Sequence, residues 1–491
     1  MTQKQSPLVI YLLLSFSIPL AAYILTAPAD LTLGIFGADS GELITASQTG
    51  GIPHPHGYPT WVIVSRLFAQ LPIGRTLAHR YNLFSAVCMS LSMLTLFQAC
   101  QLKLSKRLPV ASLAAVLAIA FTLTVWSQAV ITEVYALNSL LVSGVILLIA
   151  NVDQSGASSK QVFLLGLIGG LSATTHLTSI LLLPATGLIL ISRLYPKGWL
   201  AVMKAGIWYL ASFVLGLTPF LLLFSRAGSS SPVVWGDTST ISGWWWMVSG
   251  VIYRPNVISL SAGDMIGRIQ SFLFENQLAF VALFIPAAAI LGGATTLINR
   301  QVPNENRTNQ LTTDYKLPIL MLLTAALYAF YALAYNTQDW RVFLLPGVLC
   351  LALPLVLGLR HFGIWSLALP LLLIAVNLPI LLNGRTDETR NQAERVFTQA
   401  PADAILLTDG RDETVFPIWY FRYAENLRPD TLVVDQNLFA FDWYRARLAK
   451  QNPSLQAVQV DDLTQFRQQN SQTRPICEIS LHPFALSCTD R

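Results

Sequence analysis

Apolar residues run in long blocks as far as residue 383, and polar residues are crowded into the gaps between them. A helix rises 1.5 Å per residue, so about 20 mostly apolar residues cross the ~30 Å of hydrocarbon in a bilayer. The blocks near 7–27, 79–101, 109–125, 136–150, 161–176, 178–192, 205–224, 275–297, 317–335, 341–359 and 363–383 each predict a membrane-crossing helix. That makes about eleven spans. After Asn383 the blocks stop. "AILLTDG" and "TLVVDQNL" read as short buried strands, and "FPIWYFRYAENL" between them has helical spacing. Strand, helix, strand is the mark of a small α/β unit. The expected fold is therefore an all-α polytopic membrane protein over residues 1–383, with a small α/β domain over 384–491.

Shorter patterns fill in the external segments. In the first, 28–78, "GELITASQTG" predicts a short helix with Asp39 or Ser40 as its N-cap and Glu42 in its first turn. "TWVIVSRLFAQL" reaches only about 18 Å as a helix, too short to cross, and fits a helix lying on the membrane surface. The blocks at 109–125 and 136–150 are also short, so the junction "WSQAVITEVYALN" is expected to dip into the outer half of the bilayer. Trp244, Trp245 and Trp246 read as an interfacial aromatic belt, with a platform for a lipid chain as the alternative.

Charge orients this arrangement. Only 12% of the residues are charged against 53% hydrophobic, where a soluble chain carries about 25% charged. With the N-terminus inside, every lysine before residue 384 falls on the cytoplasmic side, at positions 4, 103, 106, 160, 197, 204 and 316. Most acids fall outside, and the α/β domain is then extracytoplasmic. The net charge of +5 belongs largely to loops beside anionic lipid and does not point to nucleic acid. "APA" at Ala27–Ala29 resembles a signal-peptide cleavage site. The apolar core before it, about 19 residues, is longer than the 7–15 of such peptides and favours a retained span. Of five cysteines, Cys88, Cys100 and Cys350 lie in spans. Cys477 and Cys488 flank "LHPF" in a hairpin pattern that an oxidising compartment would allow to bridge.

Ionisable groups at membrane depth are costly and mark function. The external junctions supply Asp39, Glu42, His54, His56, Glu133, His176, Asp339 and Arg341, which one outer cavity could collect. Each has a structural alternative. Asp39 could cap a helix, His56 could serve a turn and Glu133 could face water. His176 could bond a neighbouring helix, and Asp339 with Arg341 could form a local ion pair. His54-x-His56 is a weak zinc signal by itself.

"GADSGELITASQTGGIPHPHGYPTW", "WSQAVITEVYALN", "THLTS" and "DAILLTDGRDETVFPIWY…LRPDTLVVDQNL" resemble a family of bacterial multi-spanning proteins related to the animal O-mannosyltransferase that modifies IPT domains. Both are similar to the GT-C superfamily of membrane glycosyltransferases. The resemblance implies transfer of a sugar, mannose in the animal relative, from a polyprenyl-phosphate carrier to an acceptor hydroxyl on protein, lipid or glycan. It places the reaction at the outer face of a bacterial plasma membrane. The acid after the first span would be general base or ligand of a divalent metal, and Asp39 occupies that place. Relatives often pair two adjacent acids, whereas here the spacing is Asp39-x-x-Glu42. His54, His56 and Arg341 would hold the departing phosphate, which needs positive charge or N–H donors rather than a proton. Tyr58, Trp126, Glu133, Tyr135, His176 and Asp339 complete the expected substrate site. A transporter or flippase for a lipid-linked or polar solute is the alternative, and the lack of an inverted repeat counts against it.

Overall fold

The computed structural model describes residues 6–104, 108–152, 156–274, 316–386 and 388–489. Among them, six helices are long and apolar enough to cross a membrane. Two further pairs, bent by 67° and 58°, would each make one more span if read as broken helices. The expected span near 275–297 lies outside the described residues. The other ten blocks are helical, although several enter through 3-10 turns and one, Tyr135–Ala150, is only 16 residues long.

The first helix, α1 (Ser6–Thr26), carries no charge. Two short helices follow in the segment 28–78, α2 (Ser40–Thr49) and α3 (Pro59–Phe68). Next come α4 (Leu77–Leu104), α5 (Pro109–Ala120), α6 (Leu123–Val130), α7 (Tyr135–Ala150) and α8 (Ser159–Thr175). The short helix expected over Thr60–Leu71 is present as α3, Pro59–Phe68. It buries Trp61, Val62 and Ser65 and turns Leu67 outward. The junction "WSQAVITEVYALN" spans the end of α6 and the start of α7, and a separate 67° break lies between α5 and α6.

Where apolar packing alone cannot choose a partner, polar side chains tie the helices together. Tyr23 donates to the Ala120 carbonyl at 2.9 Å, and Asn377 donates to the Phe121 carbonyl at 2.8 Å. Ser172 and Ser179 both donate to the Asn138 side chain, at 2.8 and 2.7 Å. Asn82 donates to the Pro28 carbonyl and accepts from Thr132. These bonds fix α4 and the α6–α7 junction against the start of the external segment.

The C-terminal sheet has the order β2-β1-β3-β4, with β1 Ile405–Thr408, β2 Leu432–Asp435, β3 Ile476–Leu481 and β4 Phe484–Cys488. β1 pairs in parallel with both β2 and β3, aligning Ile405 with Leu432 and with Ile476. The connection from β1 to β2 is the helix Asp412–Trp419 and the π-turn Tyr420–Ala424, as the strand–helix–strand pattern predicted. β3 and β4 form an antiparallel hairpin in which Cys477 faces Cys488, and the two are joined by a disulfide.

This sheet unit is docked on the helical part at several points. Arg390 bonds Asp30 of the first external segment and Glu425 at 2.7 Å, and its guanidinium lies over Phe421. Thr32 donates to the Gly384 carbonyl and Arg385 to the Leu25 carbonyl, so the C-terminal ends of α1 and of the helix Ala368–Asn383 meet. Arg447 donates to the carbonyls of Ala227 and Ser229, both at 2.8 Å. The tryptophan cluster shares in this docking. Trp246 packs on Phe441 and Trp443, Trp244 donates to the Phe220 carbonyl, and only Trp245 is well exposed, at 56%.

Candidate active site

A cavity of about 870 Å³ opens where the segment 28–78, the α6–α7 junction and the C-terminal unit converge. Asp39, His54, His56, Tyr58, Glu133, Tyr135, His176 and Asp339 all line it, although they come from five stretches of the chain.

The centre is built on α2. Asp39 sits at the N-cap position, but its side chain makes no capping bond, which leaves the carboxylate, 33% exposed, to the cavity. Glu42, one turn further along, is fully buried and grips His54 twice. It accepts from the backbone N–H at 3.0 Å and from Nδ1 at 2.5 Å. On the other side of the ring, Nε2 lies 2.9 Å from the Tyr58 hydroxyl and 3.8 Å from Asp39 Oδ2. Tyr58 donates to the Pro55 carbonyl at 3.1 Å, so its oxygen is free to accept from Nε2–H. Both ring nitrogens of His54 are therefore donors, the pattern of an imidazolium. Burial works against that charge, but Glu42 and Asp39 together lift the His54 pKa to about 9. For Asp39, burial is the main influence. His54 lowers its pKa and Glu42, Asp339 and Glu413 raise it, and the balance stands at about 6.

His56 is different. Its Nδ1 lies 2.7 Å from the Val248 carbonyl, and its ring presses on Gly250. A Cβ there would sit 2.5 Å from the ring, and φ is +58°. Burial lowers its pKa to about 4, so the ring is neutral and Nε2 presents a lone pair. A lone pair repels an anion, so His56 is ill suited to hold phosphate. His176 donates to or accepts from Thr178 at 2.7 Å and stands among Tyr58, Tyr135 and Phe343.

Three expected site residues are not in the cavity lining. Glu42 acts behind it, through His54. Trp126 is buried, with its indole N–H on Thr26 Oγ1 at 2.9 Å and its ring against Phe121, so it belongs to the helix packing. Arg341 lies with its guanidinium over the Trp340 ring.

The lining also holds groups that the sequence reading missed. Arg254, from "VIYRPN", faces the cavity and donates to Ser249 Oγ at 3.2 Å. Among the described residues no carboxylate lies within ion-pair distance of it. Trp235, Tyr253 and Tyr335 add aromatic faces, and Gly410, Asp412 and Glu413 arrive from the C-terminal unit. Arg254 was legible as a base close after the Trp-rich stretch, whereas Asp412 and Glu413 stand inside the shared motif "DAILLTDGRDETVFPIWY" with nothing there to say that they face the site. Among the described residues no group of three or more His, Cys, Asp or Glu side chains is arranged to hold a metal ion.

Residues 39–199 match the family description "Protein O-mannosyl-transferase TMEM260 N-terminal domain", and residues 389–478 match "TMEM260-associated domain 2". The chain is 26% identical over 487 residues to the protein O-mannosyl-transferase TMEM260 of Mus musculus, covering 89% of this chain and 64% of that protein. It is 22% identical over 480 residues to the Dictyostelium discoideum protein of the same name, covering 86% and 57%. It thus spans about three-fifths of the length of the curated relatives it matches. The crystal structure of ArnT from Cupriavidus metallidurans bound to undecaprenyl phosphate superposes with a TM-score of 0.61 at 12% identity. That match covers 96% of this chain and 93% of that one, a likeness of fold. The chain is an integral membrane protein with the fold of that neighbour, related in sequence to the TMEM260 protein O-mannosyl-transferases and matching two of their family domains.

Proposed function

We propose that this protein transfers a sugar, mannose, from a polyprenyl-phosphate carrier to an acceptor hydroxyl at the extracytoplasmic face, with inversion at the anomeric carbon. The observation that carries this reading is the placement of Asp39. It is a carboxylate with no capping duty, open to an 870 Å³ cavity and backed by the Glu42–His54 pair. Relatives named protein O-mannosyl-transferases support a hydroxyl acceptor. A fold neighbour holding undecaprenyl phosphate supports the lipid carrier.

In this mechanism the acceptor O–H gives its proton to Asp39 as its oxygen bonds to the anomeric carbon. The bond from that carbon to the phosphate oxygen breaks, and polyprenyl phosphate leaves as an anion. A carboxyl with pKa about 6 is ionised at neutral pH, yet is more basic than an ordinary aspartate. Glu42 is a positioning residue. It holds the His54 imidazolium, which in turn fixes the Asp39 carboxylate. Arg254 receives the departing phosphate, since it is the cavity cation without a carboxylate partner among the described residues.

Asp39→Asn tests the assignment. The substitution keeps size and leaves no cap to lose, so the protein should fold normally. Consumption of undecaprenyl-phosphate mannose by purified protein in lipid vesicles should fall by ~10²-fold or more. Robust transfer by a well-folded Asn variant would remove Asp39 from the mechanism. An unaltered donor with the wild-type chain would favour a carrier rather than an enzyme.

A further inference from the structure

The turn Gly410–Glu413 belongs to the sheet domain, yet it lines the same cavity as Asp39. It follows β1 and opens the helix Asp412–Trp419, which packs on α2 at very short range. A Cβ on Gly41 would lie 2.4 Å from the Phe416 carbonyl oxygen. The helix that carries Asp39 and Glu42 therefore also sets where this turn stands.

Within the turn the charges are sorted. Arg411 is folded back, its guanidinium on Asp409 at 2.5 Å and on Ser480 at 2.7 Å. Asp412 and Glu413 are left exposed in the cavity wall, and among the described residues neither has a cation within ion-pair distance. Nearby, Trp235 and Tyr253 stand edge-on to His54, with ring centres at 6.3 and 6.4 Å. Carboxylates beside aromatic faces suit a hexose. Carboxylate oxygens accept from neighbouring hydroxyls, while a ring covers the apolar C–H face. Asp412 and Asp39 line one cavity, where the donor sugar sits between Asp39 and the departing phosphate.

We propose that the C-terminal domain reads the donor sugar, with Asp412 and Glu413 accepting hydrogen bonds from its hydroxyls while its phosphate rests on Arg254. This rests on the glycosyltransferase reading above. The test is equilibrium binding of two probes, undecaprenyl phosphate and undecaprenyl-phosphate mannose, to the full-length protein in lipid nanodiscs. The wild type should prefer the mannosylated probe. Asp412→Asn should cut that preference about tenfold, the loss expected for one hydrogen bond to a charged group, and Glu413→Gln should also lower it. Neither should change affinity for undecaprenyl phosphate, which Arg254→Ala should weaken for both probes. An undiminished preference in both carboxylate variants would overturn the proposal, as would equal loss of both probes. Equal binding of the two probes by the wild type would also overturn it and leave the phosphate site standing. A wild type that binds neither probe would sink the glycosyltransferase reading itself.

Discussion

At the scale of single residues, the centre is a set of charges that hold one another in state. His54 is an imidazolium because Glu42 and Asp39 flank it, and Asp39 stays ionised at neutral pH partly because His54 is charged. The pH dependence follows with definite signs. Asp39 must be deprotonated to accept a proton, so kcat/KM should rise through about pH 6. The ion pair disappears as His54 loses its proton, so the rate should fall through about pH 9. Glu42→Gln removes a major support of the imidazolium, and the alkaline limb should move to lower pH while the protein still binds undecaprenyl phosphate. An alkaline limb that stays in place in that variant would assign it to another group. Much of this set was legible beforehand, because acids and histidines stand out in a chain that is 12% charged. The pairing was not. Nothing in the spacing of Glu42 and His54 says that a buried carboxylate takes both the ring and the backbone of that histidine. Trp126 lies in helix packing outside the cavity lining, and nothing local distinguishes it from a site residue, since a residue inside a shared motif can serve packing as readily as the site.

Among the elements, the contact between α2 and the helix Asp412–Trp419 matters most. Both are short, and neither crosses the membrane. They meet through Gly41, where an added Cβ would run into the Phe416 carbonyl at 2.4 Å and the following proline nitrogen at 3.1 Å. Backbone atoms cannot swing aside as a side chain does. Gly41→Ala should cost about 1–3 kcal/mol by overpacking, read as a lower thermal midpoint. It should also reduce transfer more than a cavity-remote change of equal stability cost, because the Asp39 turn and the Asp412 turn are pushed apart. Equal activity at equal stability would show that the spacing of the two helices is unimportant. Strands and helices of the C-terminal unit were readable from their apolar runs, and so was the Cys477–Cys488 hairpin. The docking was not readable, since a glycine in "DSGEL" carries no local sign of the carbonyl that will face it nearly four hundred residues later.

For the whole molecule, the bonds from Thr32 to Gly384 and from Arg385 to Leu25 bring the ends of the first and last apolar blocks together. An even number of crossings between those ends meets this condition, as does the sorting of lysines. Reporter fusions after Lys204 should therefore read cytoplasmic, and fusions after Arg385 external. A cytoplasmic signal at Arg385 would overturn the orientation and move the cavity to the other face.

The wall formed by residues 410–416 has a consequence for timing. These residues follow the apolar block at 363–383, so a ribosome makes them only after that block, and they face the cavity only once folded onto α2. Until then the nascent protein holds Asp39 and its partners in an unwalled groove, without the turn that packs on α2. On the mechanism proposed above, competence for transfer would arrive late in biogenesis, when the sheet unit settles onto α2. A half-made molecule, although its first helices are complete, lacks the wall that residues 410–416 add to the cavity.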